Sequence, residues 1–190
     1  MARHWGAWED TQLSLMCRAA LQPAPNARRF QLLLMPTFDP PSCLEVEERS
    51  GGVVLSLVIL QDRAALNAAF TATLRRGAAY PMPAAVAKGR CWEDIAELLA
   101  DEVEAFRLLC ADIDPCGLDD YSDAGGRDGI ELWLRCVASR QSRTIYMWSP
   151  SRKTAPAHHR WITALLDLAA TSFGDQACLD YLASVQRYLH

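Results

Sequence analysis

The sequence predicts an α+β protein, an antiparallel sheet of about five strands in two blocks covered on one face by about five helices. Three observations lead there. Residues 29–61 run apolar or alternate in three segments cut by Pro and Gly, and 130–148 alternate again around a polar turn, which is the period-two signature of strands. Helical spacing of apolar residues appears before, between and after these blocks. No internal repeat is visible, so positions 1–190 read as a single α+β domain, with 1–25 as a helical N-terminal extension.

In chain order, EDTQLSLMCRAAL (9–21) sets Leu13, Met16, Cys17, Ala20 and Leu21 on one stripe, a helix that Pro23 and Pro25 end. RFQLLLMPTF, SCLEVEERS and GGVVLSLVILQ then form a three-stranded meander, with Glu47, Glu48, Arg49 and Ser50 expected in a water-exposed hairpin before Gly51-Gly52. A helix over 62–76 follows, carrying Leu66, Ala69, Phe70 and Leu74 and stopped near Gly77. WEDIAELLADEVEAFRLLC (92–110) reads as one long helix, apolar through Trp92, Ile95, Leu98, Leu99, Val103, Phe106 and Leu109. The Asp- and Gly-rich stretch 111–129 is a loop. Ile130 to Ala138 and TIYMW (144–148), joined by SRQSR, make a second hairpin. Helices over about 156–171 and 175–189 complete the chain, with Pro156 in a first turn and Asp175 as a cap.

With 190 residues and 51% hydrophobic content, the chain can bury a core. MARHWGAWED lacks the apolar run of a secretion signal, and no stretch approaches the ~18 apolar residues of a membrane span. Seven cysteines are scattered singly, an odd number without the clustering of a disulfide framework, which indicates a reducing cytoplasm, and the lack of a long apolar run indicates no membrane partner. Cys110 and Cys116 lack the further ligands a zinc site requires.

Motif by motif, chemistry is thinly supported. His158 and His159 follow Pro156 in a first helical turn, where successive side chains diverge by about 100° and do not chelate one metal. An activated nucleophile is not visible near either. DIDPCG from Asp112 opens like a calcium loop but has Pro115 at its fourth position, Cys116 where such a loop needs an oxygen ligand and Asp123 where it needs a bidentate Glu. Gly125-Gly126 lacks the pattern of a phosphate-binding turn. Trp92, Trp133, Trp148 and Trp161 lie within regular elements and read as packing residues, while Trp5 and Trp8 read as docking the first segment. Neither a cofactor nor a metal ion is expected.

Charge is the informative feature. Residues 91–131 hold thirteen Asp or Glu against Arg107 and Arg127, whereas 132–160 hold six Arg or Lys and no acid, within a net charge of −4. Segments this biased steer association.

The run Asp128-Gly129 opening a strand with Trp133, a polar turn, a return strand ending in Trp148-Ser149-Pro150 and an apolar helix resembles a pattern in small bacterial proteins. Some of these resemble cytosolic immunity proteins of antibacterial toxin systems. The resemblance covers residues 128–189 and carries no catalytic residue. It implies a non-catalytic cytosolic inhibitor that binds a cognate toxin, and the acidic charge of the chain suits a target that is basic and acts on nucleic acid. The expected contact surface, from the charge pattern, is a contiguous acidic one made of Glu93, Glu97, Asp101, Glu104, Asp119, Asp120 and Asp123. The alternative is a small hydrolase or transferase using His158 with a carboxylate. A nucleic-acid adaptor using Arg135, Arg140, Arg143, Arg152, Lys153 and Arg160 is disfavoured by the acidic total.

Overall fold

The structure is a computed structural model and describes residues 28–60, 91–122, 128–138 and 141–189. Three strands rise from the first block: β1 (Arg28–Pro36), β2 (Ser42–Arg49) and β3 (Gly52–Leu60). Their alternation sends Phe30, Leu32, Leu34, Leu44, Val46, Leu55 and Leu57 to one face, where each is fully buried. β4 (Cys91–Glu97) pairs antiparallel with β3, and β6 (Ile130–Ala138) pairs with β1 and β7 (Gln141–Trp148). The two-residue β5 (Tyr121–Ser122) joins β7 in parallel. The sheet is therefore seven-stranded and mixed, in the order β4-β3-β2-β1-β6-β7-β5, rather than antiparallel with about five strands.

Three α-helices stand among the described residues: α1 (Ala100–Asp112), α2 (Pro156–Ser172) and α3 (Gln176–Gln186). The helices expected over 9–21 and 62–76 lie outside the described residues. All three pack on the face that carries Phe30. Trp161 of α2 is at the centre, with Phe30 5.9 Å from its ring and Phe106 of α1 5.9 Å from Phe30. The α+β class holds. The helix expected over 92–110 does not hold as one element, because residues 91–97 are the edge strand β4. The two readings share apolar residues: a helix stripe needs Trp92, Ile95 and Leu99 inward, yet these are 43%, 52% and 68% exposed. Pairing of β4 with the open side of β3 satisfies a backbone that would otherwise end the sheet unpaired. α1 begins only at Ala100, where Glu102 Oε2 accepts the Leu99 N–H at 2.8 Å, which is half of a capping box.

Side chains lock the layers together. Asp94 on β4 accepts the N–H groups of Gly174 and Asp175 at 2.9 and 2.8 Å, and Asp175 accepts from the Cys178 N–H, so two carboxylates serve the start of α3. Tyr181 donates to the Pro40 carbonyl and Tyr188 to Asp39, each at 2.8 Å, tying the C-terminal turn to the β1–β2 connection.

At the other end, Ser149 has φ 40°, a left-handed conformation that non-Gly residues seldom adopt. Its N–H donates to the Ile130 carbonyl and its Oγ accepts the Ile130 N–H, both at 2.8 Å. A Cβ on Gly129 would collide with Ser149 Oγ and lie 3.1 Å from the Trp148 ring. The Asp-Gly and Trp-Ser-Pro motifs thus meet at one strand junction. Thr37 completes it by donating its N–H and hydroxyl to the Gly129 carbonyl.

Candidate partner-binding surface

The acidic residues expected to form one surface are divided by the sheet. β4 and β5 are its opposite edges. Glu93 and Glu97 belong to the first, Asp119 and Asp120 sit just before the second, and Asp123 lies outside the described residues. The expectation of a contiguous field across all seven is corrected accordingly, since positions close in sequence are separated by the full width of the sheet.

Several carboxylates of the 91–131 stretch are also engaged internally. Asp120 accepts the Tyr146 N–H at 2.8 Å, and Asp119 lies 3.4 Å from Arg143, an exposed and weak pairing. Asp112 meets Arg160 at 2.6 Å, Asp114 meets Arg28 at 3.6 Å, and Arg107 turns back to Glu48 at 2.7 Å. Arg143 and Arg160 thereby leave the set expected for a nucleic-acid adaptor: Arg143 also donates to the Cys116 carbonyl at 2.7 Å.

What remains is the corner where β4 turns into α1. Residues 91–106 contain six acids and no base. Of the expected contact residues, Glu97, Asp101 and Glu104 are exposed there. They cluster because strand, two-residue corner and first helical turn follow without a loop. Acidic first-turn residues also complement the α1 dipole, so Asp101 and Glu102 sit there without penalty.

Beside this corner a groove of about 710 Å³ runs between α1 and α2. Its floor is Phe106, Leu109 and Leu168, with Leu108, Ala105 and Ala164 along the lips. Leu108 is 61% exposed. A large aliphatic residue held open to water beside an apolar floor is the kind of feature that marks an interaction surface. The sequence shows Leu108 beside Leu109 with no sign that one packs inward and the other stands out.

Each histidine is held by a backbone carbonyl. His158 Nε2 lies 2.8 Å from the Asp119 carbonyl, and its ring is 5.9 Å from that of Tyr121. A carbonyl only accepts, so Nε2 carries the proton and His158 clamps the segment before β5. The His159 Nε2 lies 2.9 Å from the Leu189 carbonyl and holds the C-terminal turn in the same way. The alternative enzyme reading needs a carboxylate at His158, and the partner of its Nε2 is the Asp119 backbone carbonyl.

Sequence reasoning missed a second polar cluster. On the sheet face away from the helices, Arg29 meets Glu45 at 3.0 Å and Glu47 at 3.1 Å, Gln31 donates to Glu45 at 3.0 Å, and Arg49 reaches Glu47 at 3.1 Å. Arg29 and both glutamates are less than 10% exposed, so Glu47 is a buried partner rather than part of an exposed hairpin. The cross-strand registers Arg29↔Glu47 and Gln31↔Glu45 are its cause. The signal was present as Arg-x-Gln facing Glu-x-Glu, and only the register reveals it.

Among the described residues no three His, Cys, Asp or Glu side chains are grouped to hold a metal ion. No helix among them is long and apolar enough to cross a membrane. The fold and surface define an α+β protein with a mixed seven-stranded sheet, helices on one face and an acidic corner beside an open groove. No family model matches the chain, and no curated protein matches it in sequence.

Proposed function

We infer that the protein is a non-catalytic binding protein that engages a basic macromolecular partner, a cognate toxin that it inhibits, through the acidic β4–α1 corner. The observation that supports this reading is the exposure of Glu97, Asp101 and Glu104 in a stretch of sixteen residues, 91–106, without a basic side chain. Such a patch raises encounter rates with a cationic surface and disfavours anionic ones. Asp119 and Asp120 at the far edge contribute to net charge rather than to the same contact. The resemblance of residues 128–189 to immunity proteins points to a toxin as the partner, although the Asp-Gly and Trp-Ser-Pro residues that carry it serve a strand junction.

The test is co-expression with the product of the adjoining gene, followed by co-elution and an assay of that product's toxicity. Wild-type protein is expected to suppress toxicity. The triple variant Glu97→Lys, Asp101→Lys, Glu104→Lys is expected to associate at least tenfold more slowly at low salt and to lose protection. Full protection by the triple variant, or turnover by the protein alone that His158→Ala abolishes, overturns the reading.

A further inference from the structure

We propose that the groove between α1 and α2 receives an amphipathic helix of about three turns whose apolar face fills the floor and whose basic end lies over the acidic corner. The inference rests on the partner-binding reading above and specifies the element that is bound.

Length comes first. The lining residues span Ala105 to Asp112 on α1 and Arg160 to Thr171 on α2, about 10 and 16 Å at 1.5 Å per residue. That matches apolar anchors at i, i+3 or i+4, and i+7 of a docked helix. A floor of Phe106, Leu109 and Leu168 offers dispersion contacts but few hydrogen-bond partners, which suits leucine-like anchors over a polar ligand.

Charge gives the occupant a direction. The pairs Asp112–Arg160 at 2.6 Å and Glu102–Ser172 at 3.3 Å show that α1 and α2 run antiparallel. At one end of the groove the Asp112–Arg160 pair is neutral. At the other, Asp101 shares the exposed stripe of Ala105 and Leu108 by helical spacing, with Glu104 beside it, and Asp167 adds a further acid midway along α2. Asp167 accepts from the Gln186 amide, a neutral donor, at 2.7 Å. A helix with lysine or arginine at one end is therefore favoured in one orientation, and an acidic one is repelled.

The probe is a fluorescein-labelled synthetic peptide of about 18 residues, with leucines on one helical face and lysines clustered at its C-terminal end. Two controls accompany it, one with glutamates for the lysines and one with the leucines scrambled off the face at equal charge. Anisotropy titration at physiological salt is expected to show the first peptide binding about tenfold more tightly than either control. Leu108→Asn, at an exposed position that the fold does not rely on, is expected to weaken it about tenfold, and Ala105→Gln on the same lip is expected to act in the same direction. Asp101→Asn with Asp167→Asn is expected to weaken it and flatten its salt dependence.

Equal binding of the scrambled peptide, or indifference to both lip variants, overturns the groove while leaving the acidic-corner reading to stand on Glu97, which lies outside the groove. Absence of binding by the lysine-bearing peptide with its leucines on one face overturns it as well. Sedimentation that shows self-association, abolished by Leu108→Asn, assigns the groove to a second copy of the chain and also overturns it.

Discussion

Gly129 and Ser149 show how two small residues hold a strand junction. The left-handed backbone of Ser149 brings its Oγ to the Ile130 N–H, and only a residue without a Cβ leaves room at position 129. Gly129→Ala is expected to cost about 2 kcal/mol in the urea-unfolding free energy, through collision with Ser149 and Trp148. Cysteines give a second test at this scale. Burial pushes the Cys110 thiol up to about 11 and the Cys178 thiol to about 12, and it also raises that of Cys136, against which the Cys116 thiol packs. Native protein at pH 8 is expected to leave Cys110 and Cys178 unmodified by iodoacetamide, as read by peptide mass spectrometry, with both alkylated in urea.

Among the elements, β1 and β2 carry the sharpest conflict between pattern and burial. Alternating charges in a strand ordinarily mark a wet face, yet Arg29, Glu45 and Glu47 pair beneath the surface. Arg29→Leu is expected to destabilise by roughly 3–5 kcal/mol, because buried Glu45 loses its cation and buried Glu47 keeps only Arg49. Glu45→Gln together with Glu47→Gln in that background is expected to restore part of the loss, a mutant-cycle comparison that separates charge from packing. At the α2–α3 junction Asp175→Ala is expected to cost about 1 kcal/mol as a lost cap.

For the whole molecule, the buried thiols predict an alkaline limit to stability. In the unfolded chain these groups ionise from their ordinary value of 9, whereas the native state holds the protons of Cys110 and Cys178 to about 11 and 12. Above pH 9 the unfolded state binds fewer protons, so stability is complete below that pH and falls as pH rises through 11. The buried Tyr181 hydroxyl, also raised, adds to the trend. Urea midpoints compared at pH 7.5 and 10.5 are expected to show the decline, and a flat profile refutes the burial assigned to these groups. Electrostatics across the molecule follow topology in the same way. Acids at β4 and β5 stand at opposite edges, so association through the β4–α1 corner is expected to respond to Glu97 and Asp101 reversal far more than to Asp119 reversal, measured as the association rate at low salt.

Local pattern by itself determined the α+β class, the three-strand meander, the second hairpin, and α2 and α3, because their apolar periods run unbroken between Pro and Gly stops. It also identified Trp161 as core and the 91–131 stretch as acidic. Tertiary structure alone decided that 91–97 is a strand. Trp92, Ile95 and Leu98 fall at helical spacing, yet the choice of a strand fell to an unpaired edge of β3 some thirty residues away in sequence. It likewise decided which carboxylates are neighbours, which arginines are already engaged, and that a groove lies beside the acids. Pairing register and helix packing set distances between residues remote in sequence, and no local periodicity encodes those distances.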